Sequence, residues 1–216
     1  MIPSPSGCFV TGTDTGVGKS VVAAWLVSRL QADYWKPIQS GLEGESDTGM
    51  IQRLTRCQDH RLHPPVFSLT HPLSPHEAAR RDGRTIHLDD FSLPRTPCPL
   101  VVEGAGGLMV PLNDREFMID LIVHLGLPVI LVTRTTLGTI NHTLLSLQAL
   151  RFKGVPLLGI IANGPENPAN LDAIATFGKV AILAHLPPLE PLDATALARI
   201  PFRIPFDPGS FSRPHP

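Results

Sequence analysis

The chain has 216 residues, with 18 Lys and Arg set against 19 Asp and Glu, so its formal net charge is −1; without a long basic run, nucleic acid is not an expected partner. Apolar residues make up 43% and charged residues 17%, a balance that suits one compact enzyme domain over residues 1–216 with much buried strand. No apolar stretch reaches membrane-spanning length, the first residues lack signal-peptide regions, and Cys8, Cys57 and Cys98 are too scattered for a disulfide framework or a metal pair; a cytoplasmic protein without a membrane partner is expected.

The first predicted element is an apolar strand over residues 8–11, in which Cys8 reads as a small core residue. It leads into Gly12-Thr13-Asp14-Thr15-Gly16-Val17-Gly18-Lys19-Ser20 and then a helix over 19–32 with Val22, Leu26 and Leu30 along one face. A glycine-rich turn ending in Gly-Lys-Ser between strand and helix is a phosphate cradle. Its backbone N–H groups converge on oxygens, the Lys19 ammonium reaches the terminal phosphates, and the Ser20 hydroxyl can ligate magnesium. The helix N-terminus adds partial positive charge at the same place. The spacing departs from the common one, since Thr13 stands where the first glycine is usual.

A second strand is predicted over 34–38. Lys36 within it is either a solvated surface lysine or a cation on the phosphate-loop rim serving phosphoryl transfer, and the residues alone leave both readings open. Ser40 and Gly41 follow, with a hydroxyl and a backbone N–H expected to be free for a ligand. The stretch 43–99 is rich in Pro, His and Arg, and only short helices over 47–55 and 76–81 are predicted there. In Glu45-Ser46-Asp47-Thr48, the pattern favours Asp47 as a helix N-cap. The strand over 100–103 carries a lone acid, Glu103, at its tip before Gly104-Ala105-Gly106-Gly107. A single buried carboxylate is costly unless paired or metal-bound, so this one is expected to hold magnesium opposite the loop.

Helices over 118–124, 137–152 and 171–177 then alternate with strands over 129–133, 158–162 and 180–186, and a proline-rich tail follows, loosely attached over 201–216. This alternation predicts an α/β fold: a doubly wound, mainly parallel sheet of the P-loop NTPase type with helices on both faces and ligands beyond the carboxyl ends of the strands.

Together, and in this order, the segments resemble the dethiobiotin synthetase family. The matching segments are Gly12 to Ser20, Lys36-Pro37 with Ser40-Gly41, Leu73-Ser74-Pro75-His76, Val102 to Gly107 with Pro111-Leu112, Leu137 to His142, and Ile161-Ala162-Asn163. The resemblance implies a Mg2+- and ATP-dependent cyclo-ligase of biotin biosynthesis. It would turn diaminononanoate and CO2 into a cyclic urea through a phosphorylated carbamate. It implies Lys19 and Lys36 as catalytic cations and Ser20, Asp47 and Glu103 as magnesium ligands. The implied ATP site comprises Gly16, Val17, Gly18, Lys19, Ser20, Val21, Asp47, Glu103, Gly104, Ala105 and Gly106. Asn163, Gly164, Pro187, Pro188 and Leu189 would complete it around the base. Thr15 and Ser40 would contact the diamine, with Gly138 and Asn141 reaching it across a homodimer boundary. Gly16 and Gly164 stand where the family often has acids, and Glu190 or Asp193 is left as an uncertain nucleotide contact. Two rivals share the fold. A cobyrinate-amidating synthetase normally carries a glutaminase domain, for which the chain leaves no room. A partition or septum-positioning ATPase uses a signature lysine where this chain has Asp14.

Overall fold

The computed structural model describes residues 7–202. In chain order it contains β1 (Gly7–Gly12), α1 (Lys19–Leu30), β2 (Asp33–Trp35), β3 (Ile38–Ser40), α2 (Asp47–Thr55), β4 (Leu62–His63), β5 (Phe67–Leu69), α3 (Pro75–Arg81), β6 (Leu100–Gly107), α4 (Met118–Leu125), β7 (Val129–Arg134), α5 (Thr139–Phe152), β8 (Leu157–Asn163), α6 (Pro168–Gly178), β9 (Ile182–Leu186) and α7 (Ala194–Arg199). Seven strands form one sheet in the order β4-β2-β6-β1-β7-β8-β9, and every neighbouring pair is parallel. The expected doubly wound α/β architecture is present.

Both faces of this sheet are covered, which is why its strands read as apolar runs without polar alternation. Successive side chains still point to opposite sides. Phe9, Val102 and Leu131 enter a core with α3, α4, α5 and α6, whereas Cys8, Val10, Val101 and Ile130 enter another with α1, α2 and α7. Burial of Cys8 pushes its thiol up to about 12, so it is an inert packing group. The chain runs from central β1 out to β2, then returns through β6 and β7 on either side of β1. A crevice opens at the carboxyl ends of these strands.

Several boundaries differ from expectation. The single strand expected over 34–38 is two: β2 belongs to the main sheet, while β3 pairs with β5 in a separate two-stranded parallel sheet. The break falls at Lys36-Pro37, where proline offers no N–H to a ladder; its carbonyl instead accepts from Val66 N (2.9 Å) and Phe67 N (3.1 Å). Strands β4 and β5 and helix α7 were not expected. Helix α6 begins at Pro168 rather than 171, because the Asn167 side chain accepts from Asn170 N and proline occupies the first turn. Most of the tail expected to be loose lies outside the described residues.

Candidate active site

The segment between β1 and α1 bends back over the sheet end, held by Thr13 N donating to the Val132 carbonyl (3.0 Å). Asp14 fastens the turn, accepting from Thr15 N at 2.7 Å and from Arg134 Nη2 at 3.0 Å. Gly18 has φ of 92°, a conformation that favours glycine, and a Cβ there would lie 2.1 Å from Asn163 Nδ2 and displace that amide. Lys19 is buried, its ammonium donating to the Asp14 carbonyl at 3.0 Å. Burial lowers its pKa and Lys36 adds to that, against partial support from Glu103.

At the other edge of the crevice, Lys36 follows β2 directly and is itself buried. Its Nζ lies 2.5 Å from Asp47 Oδ2 and 3.1 Å from Glu103 Oε1, so the surface-lysine reading is excluded. Burial works against that ammonium, but Glu103 and Asp47 together outweigh it and its pKa is raised. For Asp47, burial pulls the pKa up while Lys36 and the Ser20 hydroxyl pull harder, leaving it lowered. Ser20 Oγ is 2.6 Å from Asp47 Oδ1 and 2.9 Å from Glu103 Oε1, placing one hydroxyl and two carboxylates around one point. These are hard oxygen donors, the set that suits magnesium and not a soft metal. The other oxygen of Glu103 accepts from Tyr34 Oη at 2.8 Å.

Two expectations drawn from local pattern do not hold. Asp47 is not the N-cap of α2; Ser46 is, its side chain accepting from Gly49 N at 3.1 Å, which leaves the Asp47 carboxylate free to face Lys36. Nor is the Gly41 N–H free for a ligand: it donates to the Leu69 carbonyl at 2.9 Å and is spent on the small sheet.

These groups line a cleft of about 710 Å3, joined there by Thr15, Gly16, Gly18, Val21, Ser40, Ala105 and Gly106. Val17 is buried behind the loop, and Gly104 backs onto the Phe9 ring. Asn163 and Gly164 sit beside the loop at the end of β8, outside the cleft lining. The Asn163 amide donates to the Val17 carbonyl (3.2 Å), and Gly164 is tied to β9 through the Leu186 carbonyl. Pro187, Pro188 and Leu189 continue from β9. Asp193 is occupied in capping α7, accepting from Ala196 N at 2.8 Å, and Glu190 is exposed. Gly138 and Asn141 open α5 and do not line the cleft; a side chain begun at Gly138 would meet no atom within 4 Å of its Cβ. Sequence reasoning missed Gln39, Met50, Pro72 and Val110, which also line it. It noted Leu73-Ser74-Pro75 without assigning the wall role that segment plays. Of these, only the Ser-Pro helix start left a signal.

A family model described as an AAA domain matches residues 6–196. The ATP-dependent dethiobiotin synthetase BioD of Paramagnetospirillum magneticum is 51% identical over 205 residues, covering 94% of this chain and 99% of that protein. The protein of the same name from Rhodopseudomonas palustris (strain TIE-1) is 50% identical over 202 residues, covering 94% and 95%. The biotin biosynthesis bifunctional protein BioCD of Bordetella avium is 52% identical over 194 residues, but the chain spans only 42% of its length. Among solved structures, a ParA family ATPase from Chlorobium tepidum superposes with a TM-score of 0.55 at 14% identity, covering 90% of this chain and 89% of that one. The MinC:MinD complex of Aquifex aeolicus gives 0.52 at 14%, covering 88% and 86%. At such identity the likeness is one of fold alone.

Proposed function

This chain belongs to the ATP-dependent dethiobiotin synthetase family, and from that membership we propose how its cleft closes the urea ring of dethiobiotin in biotin biosynthesis. One amine of diaminononanoate takes up CO2 as a carbamate. A carbamate oxygen attacks the γ-phosphorus of ATP in line, the bond to the bridging oxygen breaks, and ADP leaves. The second amine then attacks the carbonyl carbon of the mixed anhydride, gives up a proton, and expels phosphate.

The difficulty lies in bringing an anionic carbamate against an anionic phosphate chain, and it is met by fixed charge and fixed orientation. Lys19 and the loop N–H groups hold the terminal phosphates. Lys36 has its pKa raised by two carboxylates, so it carries its charge at neutral pH and offsets the charge on the transferring group. Ser20, Asp47 and Glu103 would hold a magnesium ion, which when bound would supply charge neutralisation to the phosphate chain. Thr15 and Ser40 contact the diamine or its carbamate. Asn163 leaves its carbonyl oxygen to accept from the adenine amine, with Gly164, Pro187, Pro188 and Leu189 around the base. A homodimer brings Gly138 and Asn141 of one copy toward the cleft of the other. The three free cysteines suit the reducing cytoplasm, where we place the reaction.

The observation that carries this reading is the meeting of Lys36, Asp47, Glu103 and Ser20 at the end of the phosphate loop. The test is to incubate the protein with the diamine, bicarbonate, magnesium and ATP, and to look for the cyclic urea by mass spectrometry. Product is expected from the parent, with turnover lower by about 10²-fold or more in Lys36→Gln while ATP still binds. A parent that makes no cyclic urea overturns the reading.

A further inference from the structure

Gln39 lies in β3, three positions beyond Lys36, and is 9% exposed, a degree of burial that glutamine reaches only with partners. Its Nε2 has them: the Ser40 carbonyl at 3.2 Å and the Gly41 carbonyl at 3.3 Å. Carbonyl oxygens only accept, so the side-chain atom facing them must be the nitrogen, which fixes the amide's orientation. The opposite atom, Oε1, is buried without a hydrogen-bond partner, as is the adjacent Ser40 Oγ. Both residues line the cleft that Lys36 and Glu103 also line. Leaving a buried acceptor unpaired is costly, so one held in place by its own amide group, on a residue that lines a ligand cleft, is a waiting contact.

We propose that Gln39 Oε1 is the docking point for an amino group of the diamine, the one not carried as carbamate, so that Gln39 sets the substrate's orientation for ring closure. This rests on the function proposed above. The cleft divides its ligand by chemistry: Lys19 and Lys36 take anionic oxygens, whereas an amide carbonyl takes an N–H donor. Being uncharged, the amide suits this amine better than a carboxylate would. A carboxylate stabilises ammonium and holds the proton on, whereas a neutral acceptor orients the amine and leaves its lone pair free to attack.

The test is steady-state kinetics on the full chain with each substrate varied in turn. Gln39→Leu removes both ends of the amide at similar volume. Gln39→Lys keeps a donor for the Ser40 and Gly41 carbonyls and removes the acceptor, so it covers the case in which the leucine variant does not fold. Either variant is expected to raise KM for the diamine about tenfold, the loss of one hydrogen bond. KM for ATP should stay within about twofold, because the nucleotide does not use this contact. An active parent whose variants keep the diamine KM, or raise both KM values alike, overturns the docking role alone. A parent that forms no cyclic urea overturns the functional reading, and this proposal with it.

Discussion

Tyr34 makes it possible for a carboxylate to sit at the floor of the cleft and still present one defined oxygen to it. Glu103 is 1% exposed, and Tyr34 Oη donates to its Oε2 at 2.8 Å, which leaves Oε1 turned toward Ser20 and Lys36. Burial, reinforced by Glu103 and Asp47, holds the Tyr34 hydroxyl well above the ordinary tyrosine range, so it remains a donor throughout the physiological range. Tyr34→Phe would leave Oε2 buried without that donor. The expected loss is about 1–3 kcal/mol of stability, read by thermal denaturation, together with a several-fold higher magnesium requirement. An unchanged melting temperature and metal titration would show that Glu103 does not depend on Tyr34. The residues around this site differ in how legible they are in the sequence. Lys36 and Glu103 stand out as single charges at the ends of apolar runs. Tyr34 does not, because an aromatic residue in a strand is ordinary core. Asp47 is easily misread because Ser46 and Asp47 are both good caps; Ser46 takes the cap, and the partner that Asp47 then meets, Lys36, is distant in sequence.

At the scale of elements, the edge strand β4 shows how short structure escapes a reading based on periodicity. Two residues, Leu62 and His63, cannot display a period, and their ladder with β2 contributes few hydrogen bonds. What fastens them is Asp33, the first residue of β2, which accepts from Thr96 Oγ1 at 2.7 Å, Arg61 Nε at 3.1 Å and His63 Nε2 at 3.2 Å. Burial tends to raise the Asp33 pKa, but these three hydrogen bonds outweigh it and the pKa falls below 3.8. A carboxylate with a depressed folded pKa contributes stability that is present above 3.8 and lost as pH falls through the folded value. Asp33→Asn should therefore be less stable than the parent at neutral pH, by about 1–3 kcal/mol, with the gap narrowing below 3.8. Urea denaturation at both conditions measures it, and a gap independent of pH would show that the carboxylate's charge plays no part. The long elements are legible for the complementary reason. Strands buried on both faces, such as β1 and β7, need uninterrupted apolar residues, and the chain writes them plainly.

At the scale of the whole molecule, the cleft leaves one part of the proposed substrate unmatched. Its cationic lining consists of Lys19 and Lys36, both at the phosphate end, while Met50, Pro72, Leu73, Pro75 and Val110 make its further wall apolar. A diamine with a carboxylate tail thus finds no cation along that wall. At the start of α5, by contrast, Gly138 is the N-cap and offers no side chain to the N–H groups that follow Thr139, whose own N–H donates to the Thr136 carbonyl, and the adjacent Leu137 is 100% exposed. Those donors sit outside the cleft of their own chain, where a second copy could be met. Periodicity does not bear on this, since a face that met another copy would look like exposed loop to a single sequence; only the family resemblance singles out Gly138 and Asn141. If the proposed homodimer completes the site, Leu137→Glu places a charge in the contact and should give a monomer by sedimentation, with nucleotide affinity preserved. Turnover of the diamine should then fall by about 10²-fold, the effect of losing one anchor on orientation. A variant that becomes monomeric yet keeps full turnover would locate the carboxylate's partner within a single chain.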